Sequence, residues 1–145
     1  MKKTLVSIFL FSLATVSVAA SMTPVGQWVT IDDDTGEIKS HVTIWEEKGE
    51  LQGKIDKLIN PSEPNPVCDD CKGKRKNQPI TGMTFIWGLS KDGDEWNGGY
   101  ILDPSNGKEY KAKMKVTDGG KKLEVRGFIG FSLLGRTQVW NRLAD

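Results

Sequence analysis

The amino-acid sequence predicts an all-β fold: a single antiparallel up-and-down barrel of about eight strands. Short runs that alternate apolar and polar residues are separated by turn residues, and no convincing helical period is present. Tryptophan motifs stand at both ends of this region, GQW at 26–28 and RTQVWNR at 136–142. An open sheet of this size would leave two unpaired edges and a bare apolar face, and closure into a barrel removes both. A two-sheet sandwich is the structural alternative.

The first four strands are predicted at residues 26–31, 37–46, 51–58 and 82–89. The acidic stretch 32–36 ends in Thr-Gly and forms the first turn, because aspartate and glycine favour turn conformations. In the second strand Ile38, Val42 and Ile44 share one side, as in a strand with one buried face. The third and fourth strands are separated by a long loop at 60–79.

The last four strands are predicted at residues 95–102, 109–116, 122–129 and 136–143. The stretch DPSNG at 103–107 is a strong turn signal, because proline presets φ and glycine accepts a positive one. The sixth strand has the clearest alternation: its charged residues point one way, and its apolar side consists of Tyr110, Ala112, Met114 and Val116.

Residues 1–20 have the pattern of a secretory signal peptide. Lys2 and Lys3 precede an apolar stretch and a small-residue cleavage site, with cleavage expected after Ala20. The apolar stretch is too short to be a stable membrane span. We therefore expect residues 21–145 to form one barrel domain that is periplasmic or secreted.

The mature chain is close to electrically neutral. Loss of Lys2 and Lys3 from the 20 basic residues leaves 18 against 19 acidic ones. Domains that bind nucleic acid are normally clearly basic, so no nucleic-acid partner is expected. Nothing in the sequence identifies a protein partner.

The long loop contains Cys68-Asp69-Asp70-Cys71, and these are the only two cysteines. An oxidising compartment favours a disulfide between Cys68 and Cys71 that pins the loop locally. A redox role is the first alternative, but no βαβ pattern surrounds the motif. Zinc binding is the second, but two further ligands are not evident.

Catalytic signatures are missing, so the sequence favours a protein that is not an enzyme. His41 is the single histidine and falls on the polar face of the second strand. The stretch GFSLL at 130–134 departs from the nucleophile-elbow motif at its last position, and no phosphate-binding glycine loop is present. Neither a catalytic residue, nor a metal, nor a cofactor is predicted.

Two groups of residues are candidates for binding. The first comprises side chains expected to line the barrel interior, with an arginine as polar anchor: Met83, Phe85, Trp87, Tyr110, Met114, Arg136 and Trp140. The second is a patch in the glycine-rich stretch 127–135, formed by Phe128, Phe131 and Leu134. Exposed at the mouth it would suit lipid or protein contact, and folded inward it would plug the barrel.

The tryptophan motifs resemble those of the lipocalins and the wider calycin group. In those proteins an arginine of the last strand lies across the first-strand tryptophan and closes the base of the barrel. The resemblance implies this role for Trp28 with an arginine of the last strand. Arg136 and Arg142 both share a face with Trp140, and we favour Arg142. A cation over an indole face contributes about 0.5–2 kcal/mol.

The full pattern is closer still to the domain of unknown function 2147 family of exported bacterial proteins. The matching elements include GQW at 26–28, LQGKI at 51–55, CDDC at 68–71, WNGG at 96–99 and GRTQVWNR at 135–142. The resemblance implies a lipocalin-like barrel and an exported location, and it implies no activity.

These observations lead to one functional hypothesis and two alternatives. The hypothesis is non-catalytic binding of a small apolar or amphipathic ligand inside the barrel or at its mouth. The first alternative is a structural or interaction module of the envelope whose barrel is filled. The second is a redox or metal role of the CxxC loop.

Overall fold

The structure, a computed structural model, describes residues 12–14 and 21–144. Its strands are β1 (Gly26–Ile31), β2 (Ile38–Glu47), β3 (Glu50–Leu58), β4 (Thr84–Asp92), β5 (Glu95–Asp103), β6 (Lys108–Thr117), β7 (Lys122–Phe128) and β8 (Gly135–Arg142). Two short 3₁₀ turns, Gly73–Arg75 and Asp118–Gly120, accompany them. The predicted strands are thus all present, with bounds that differ by up to three residues.

Each strand pairs antiparallel with the next along the chain, and β8 returns to pair with β1. The sheet is therefore a closed eight-stranded barrel, which confirms the predicted fold and rules out the two-sheet sandwich. Alternation directs one face of each strand inward. In β6, Ala112, Met114 and Val116 are buried, as their period of two predicts.

The seam between β1 and β8 depends on a side chain as well as on backbone pairing. These strands share two register pairs, Trp28 with Arg142 and Val29 with Asn141, whereas β7 and β8 share seven. The Arg142 guanidinium carbon lies 4.1 Å from the centre of the Trp28 ring. Arg142, rather than Arg136, is therefore the cation that covers the indole.

The N–H groups of the Arg142 guanidinium also form hydrogen bonds with backbone carbonyls around the base of the barrel. The guanidinium donates to the carbonyl oxygens of Gly120 at 2.6 Å, Thr23 at 2.8 Å, Ser21 at 2.9 Å and Val25 at 3.1 Å. The buried Trp28 Nε1 donates to the Pro24 carbonyl at 2.8 Å. The planar, multi-donor shape of arginine suits this arrangement, because the amine of lysine has fewer donors and no flat face.

A bulge in β4 changes which of its side chains face inward. The register with β3 shifts between Gly53 and Lys54, whose partners are Ile86 and Thr84. Phe85 is the extra residue, and both it and Ile86 are buried. The Gly53 position has room for Ile86 because it carries no side chain: a Cβ there would lie 3.1 Å from the Ile86 Cβ.

The bulge corrects the expectation that Met83, Phe85 and Trp87 share an inward face. Trp87 instead lies on the outside of the barrel, where its ring stacks on Tyr100 with 5.9 Å between the ring centres. The Arg75 guanidinium covers Trp87 at 4.3 Å. Because Arg75 belongs to the long β3–β4 loop, this contact holds the loop against the barrel wall.

The predicted disulfide between Cys68 and Cys71 is present. Both cysteines are buried. The Cys68 amide donates to the Gln78 carbonyl, and the Cys68 carbonyl accepts from the Asn77 amide. The β5–β6 turn lies directly against this segment: a Cβ on Gly107 would lie 2.1 Å from the Asp70 carbonyl oxygen. The disulfide therefore shapes a local loop that packs on the outside of the barrel.

We expect Arg142→Ala to lower the free energy of unfolding by about 2–4 kcal/mol, because it removes a cation–π contact and several hydrogen bonds from a charged donor. Urea titration measures the change. Lys122→Ala is the control, since this exposed residue lies opposite Asn141 on the neighbouring strand. Equal stability of the Arg142→Ala and Lys122→Ala proteins would show that the seam does not depend on the guanidinium.

Candidate ligand-binding site

A cavity of about 670 Å³ opens at the end of the barrel opposite Arg142. Four connections surround this mouth: β1–β2, β3–β4, β5–β6 and β7–β8. The cavity lies between strand ends because large core side chains occupy the other half of the barrel, among them Trp28, Met114 and Leu123. The barrel is therefore filled at its base and hollow at its mouth.

The inner wall of the cavity is mainly apolar. Phe85 and Trp140 are almost fully buried, and their rings stack with 6.1 Å between the centres. Ile55, Ile101 and Val125 contribute further apolar surface to the wall. This surface suits a hydrocarbon or aromatic group, which gains free energy when it leaves water.

The polar groups of the wall are bonded to one another. The hydroxyl oxygens of Thr30 and Ser40, both buried, lie 2.6 Å apart. Trp140 Nε1 donates to Gln138 Oε1 at 3.1 Å. Across the described residues, no buried side-chain nitrogen or oxygen lacks a hydrogen-bond partner. An apolar molecule can thus enter without leaving a polar group of the wall without a hydrogen bond. In a cavity whose polar groups bind water, that loss would cost free energy.

The rim of the cavity carries charge. Arg136 Nε donates to Asp33 Oδ2 at 2.6 Å, which joins β8 to the β1–β2 loop across 103 residues of sequence. This hydrogen bond, followed by the attraction of the two charges, raises the pKa of the Arg136 guanidinium. The pKa of the neighbouring Asp32 carboxyl is lowered, first by backbone hydrogen bonds from Thr35 and Asp34 and then by Lys39.

Four of the seven residues predicted to line the interior do so: Phe85, Tyr110, Arg136 and Trp140. Met114 is buried in the filled half of the barrel, and Trp87 is on the outer wall. Met83 precedes β4 and borders a shallow hollow beside Arg75 and Gln78. The sequence interpretation did not include Asp33, which it assigned to a simple turn, nor the Thr30–Ser40 pair, whose small polar side chains carry no distinctive spacing.

The predicted patch on the β7–β8 loop is exposed at the mouth and does not plug the barrel. Phe131 is 77% exposed and Leu134 69% exposed. Leu133, at 89%, and Ile129, at 63%, extend the patch. Phe128 is half-buried at the end of β7, so it contributes less than the sequence suggested.

The remaining candidate chemistry is limited. Cys68 and Cys71 are paired with each other, and His41 lies on β2 between the inward residues Ser40 and Val42. In residues 12–14 and 21–144 no three histidine, cysteine, aspartate or glutamate side chains come together in a group that could hold a metal ion. That same part of the chain contains no helix with the length and apolar character needed to cross a membrane.

Comparisons with known proteins agree with this architecture. A family model described as "Uncharacterized protein conserved in bacteria (DUF2147)" matches residues 26–142. The chain is also similar to a solved structure from Helicobacter pylori, titled "Protein HP1028 from the human pathogen Helicobacter pylori belongs to the lipocalin family". The TM-score is 0.75 at 20% identity, and the match covers 86% of each chain, a similarity that shows a shared fold. No curated protein matches the chain.

We expect Arg136→Gln to release the β1–β2 loop from β8 with little loss of global stability. Arg136 is largely exposed, and exposed ion pairs contribute at most about 1 kcal/mol. Hydrogen exchange should become faster in the amides of residues 33–36, whereas Lys111→Gln should leave it unchanged. Unaltered exchange in the Arg136→Gln protein would show that the ion pair does not restrain this side of the mouth.

Proposed function

Because the chain belongs to the DUF2147 family of bacterial proteins and folds as a lipocalin-like barrel, we propose that it binds a small apolar or amphipathic molecule without catalysing a reaction. The observation that carries the proposal is the cavity at the open end of the barrel. Binding sites for small molecules are concave, mostly apolar and few per protein, and this cavity has that character.

The size of the cavity supports a ligand of modest dimensions. Its volume of about 670 Å³ falls within the range of about 300–1,000 Å³ that is usual for such sites. An eight-stranded barrel is just wide enough to hold one small ligand. We therefore expect one molecule per barrel.

The distribution of polarity suggests how the ligand is oriented. The apolar part would lie against Phe85, Ile55 and Trp140, where the wall offers no unpaired polar atom. A polar or charged end would remain at the rim beside Arg136 and Lys39, which also border the cavity. This arrangement favours an amphipathic molecule over a wholly apolar one, because a polar head group keeps its contact with water and charge.

No specific observation favours the two alternatives. A structural module with a filled barrel has no need of an open hollow lined by apolar side chains. For a redox or metal role, the described residues offer no free thiol and no group of three metal-ligating side chains, since Cys68 and Cys71 are paired with each other. Ligand binding accounts for the cavity, and the disulfide accounts for the shape of the outer loop.

We also propose that the protein works in the periplasm or is secreted, after removal of residues 1–20. The signal-like sequence supports this location, although residues 1–11 and 15–20 lie outside the described part of the chain. The disulfide supports it as well, because such bonds persist in oxidising compartments. Terminal sequencing of the protein from the bacterial envelope should find Ser21 first, and an intact Met1 would contradict the proposal.

Gly127 offers a direct test of cavity binding. It lies on the cavity wall, and a Cβ there would make ordinary contacts, 3.4 Å from Ile101 Cγ2 and 3.5 Å from Tyr110 Cβ. Gly127→Leu should therefore fold and occupy part of the hollow. We expect its affinity for the apolar dye N-phenyl-1-naphthylamine to fall by about 10-fold or more, because the dye loses both space and buried contact area.

The control is Glu124→Leu, which adds a similar side chain to an exposed position on the same strand. Its dye affinity should match that of the unaltered protein. Urea titration of both variants shows whether they remain folded. Equal dye binding by the Gly127→Leu protein, or no dye binding by the unaltered protein together with no small molecule seen by native mass spectrometry, would contradict the proposed function.

A further inference from the structure

The β7–β8 loop, residues 129–134, projects apolar side chains into solvent at the barrel mouth. Ile129, Phe131, Leu133 and Leu134 are between 63% and 89% exposed. Large apolar side chains grouped in this way are unusual on a soluble surface and commonly mark a contact with a membrane or a partner. We call these four side chains the apolar tip.

The loop is held in this exposed shape by hydrogen bonds. The Leu134 amide donates to the Phe131 carbonyl at 2.9 Å, and the Ile129 amide donates to the Leu134 carbonyl at 3.3 Å. Arg126 Nε donates to the Ser132 carbonyl at 2.6 Å. The apolar tip is thus presented by a defined turn that is tied to β7.

Positive charge adjoins the apolar tip on the outer face of β6 and β7. Lys111 lies opposite Phe128, the last residue before the loop, and Lys113 lies opposite Arg126. Among the described residues none of these three cations forms an ion pair; the nearby Glu109 is paired with Arg75 at 3.3 Å. Like charges that face each other across a sheet are unfavourable, so Lys113 and Arg126 form a cationic surface at a cost in stability.

The β1–β2 loop, which lies next to β8 on the other flank of the apolar tip, is acidic. It carries Asp32, Asp33 and Asp34, of which Asp32 is paired with Lys39 and Asp33 with Arg136. An anionic surface would therefore approach from the β6–β7 side, where Lys111, Lys113 and Arg126 lie beside the apolar tip. The charge distribution therefore determines which side of the mouth faces an anionic surface.

From this arrangement we propose that the barrel docks, mouth edge first, on the surface of an anionic lipid bilayer. The apolar tip would enter the boundary between head groups and acyl chains, and Lys111, Lys113 and Arg126 would lie at the level of the lipid phosphates. Apolar insertion combined with basic residues is the pattern of peripheral membrane binding. A loop of six residues is also too small for a stable protein interface, which takes about 20–30 residues from each partner.

The proposal goes beyond ligand binding and does not depend on it. Ile129 and Leu134 of the apolar tip border the cavity, but Phe131, Leu133 and the three cations do not. Its test is cosedimentation of the full mature protein with vesicles of phosphatidylcholine alone or of phosphatidylcholine with phosphatidylglycerol in equal parts. We expect binding to the anionic vesicles only, and we expect it to weaken as salt is raised.

Two double variants separate the apolar from the electrostatic contribution. Phe131→Ala with Leu133→Ala should weaken partitioning by about 10-fold or more through loss of buried area. Lys111→Ala with Lys113→Ala should weaken it by about 10-fold or more on anionic vesicles, through loss of attraction to the lipid phosphates. The dye affinity of the cavity should not change in either protein, so a failure of docking and a failure of ligand binding are distinguishable.

Matched controls exist elsewhere on the barrel. Ile38→Ala with Val139→Ala removes two exposed apolar side chains outside the loop, and Lys121→Ala with Lys122→Ala removes two exposed lysines near the base. Both should bind vesicles like the unaltered protein. Absence of binding to anionic vesicles at low salt, or equal losses in the controls, would overturn the proposal. So would self-association in ultracentrifugation that Phe131→Ala with Leu133→Ala abolishes, because the occupant would then be a second copy.

Discussion

The contact between Arg142 and Trp28 is the constraint on which the rest of the structure depends. A sheet closes into a barrel only if its first and last strands stay together, and β1 and β8 share just two register pairs. The guanidinium adds a flat face over the indole and hydrogen bonds to carbonyls on both sides of the seam. The Arg142 side chain thus strengthens a seam at which the backbone pairing between β1 and β8 is short.

Closure at the base explains why the hollow lies at the other end. Large side chains, including Trp28 and Leu123, fill the half of the barrel next to Arg142. Toward the mouth, small residues such as Thr30, Ser40 and Gly127 stand among the larger side chains of the wall and leave space between the strands. The size of the residues along each strand therefore sets where the protein is solid and where it is open.

The alternation of residues was enough to predict the strands, because each strand has one apolar side, and the unpaired edges of an open sheet favoured closure into a barrel. In β6 the inward set from Ala112 to Val116 follows directly from a period of two. The alternation did not predict the position of Trp87, because a bulge at Phe85 interrupts the period of two in β4. The local amino-acid sequence gives no sign of this bulge. The bond between Asp33 and Arg136 was also out of reach, because it joins residues 103 positions apart that are neighbours only once the barrel has closed.

Strand β8 carries two tasks within a few residues. Arg136, Gln138 and Trp140 border the cavity, and Arg142 holds the seam. The two regions are therefore thermodynamically linked: any molecule that binds only the intact cavity stabilises the closed barrel, and the stabilisation grows with the logarithm of its free concentration once that exceeds the dissociation constant. Conversely, a fluctuation that separates β8 from β1 removes part of the cavity wall, and a molecule bound in the cavity is then released. The rate at which the barrel opens thus sets an upper limit on the residence time of a molecule bound in the cavity.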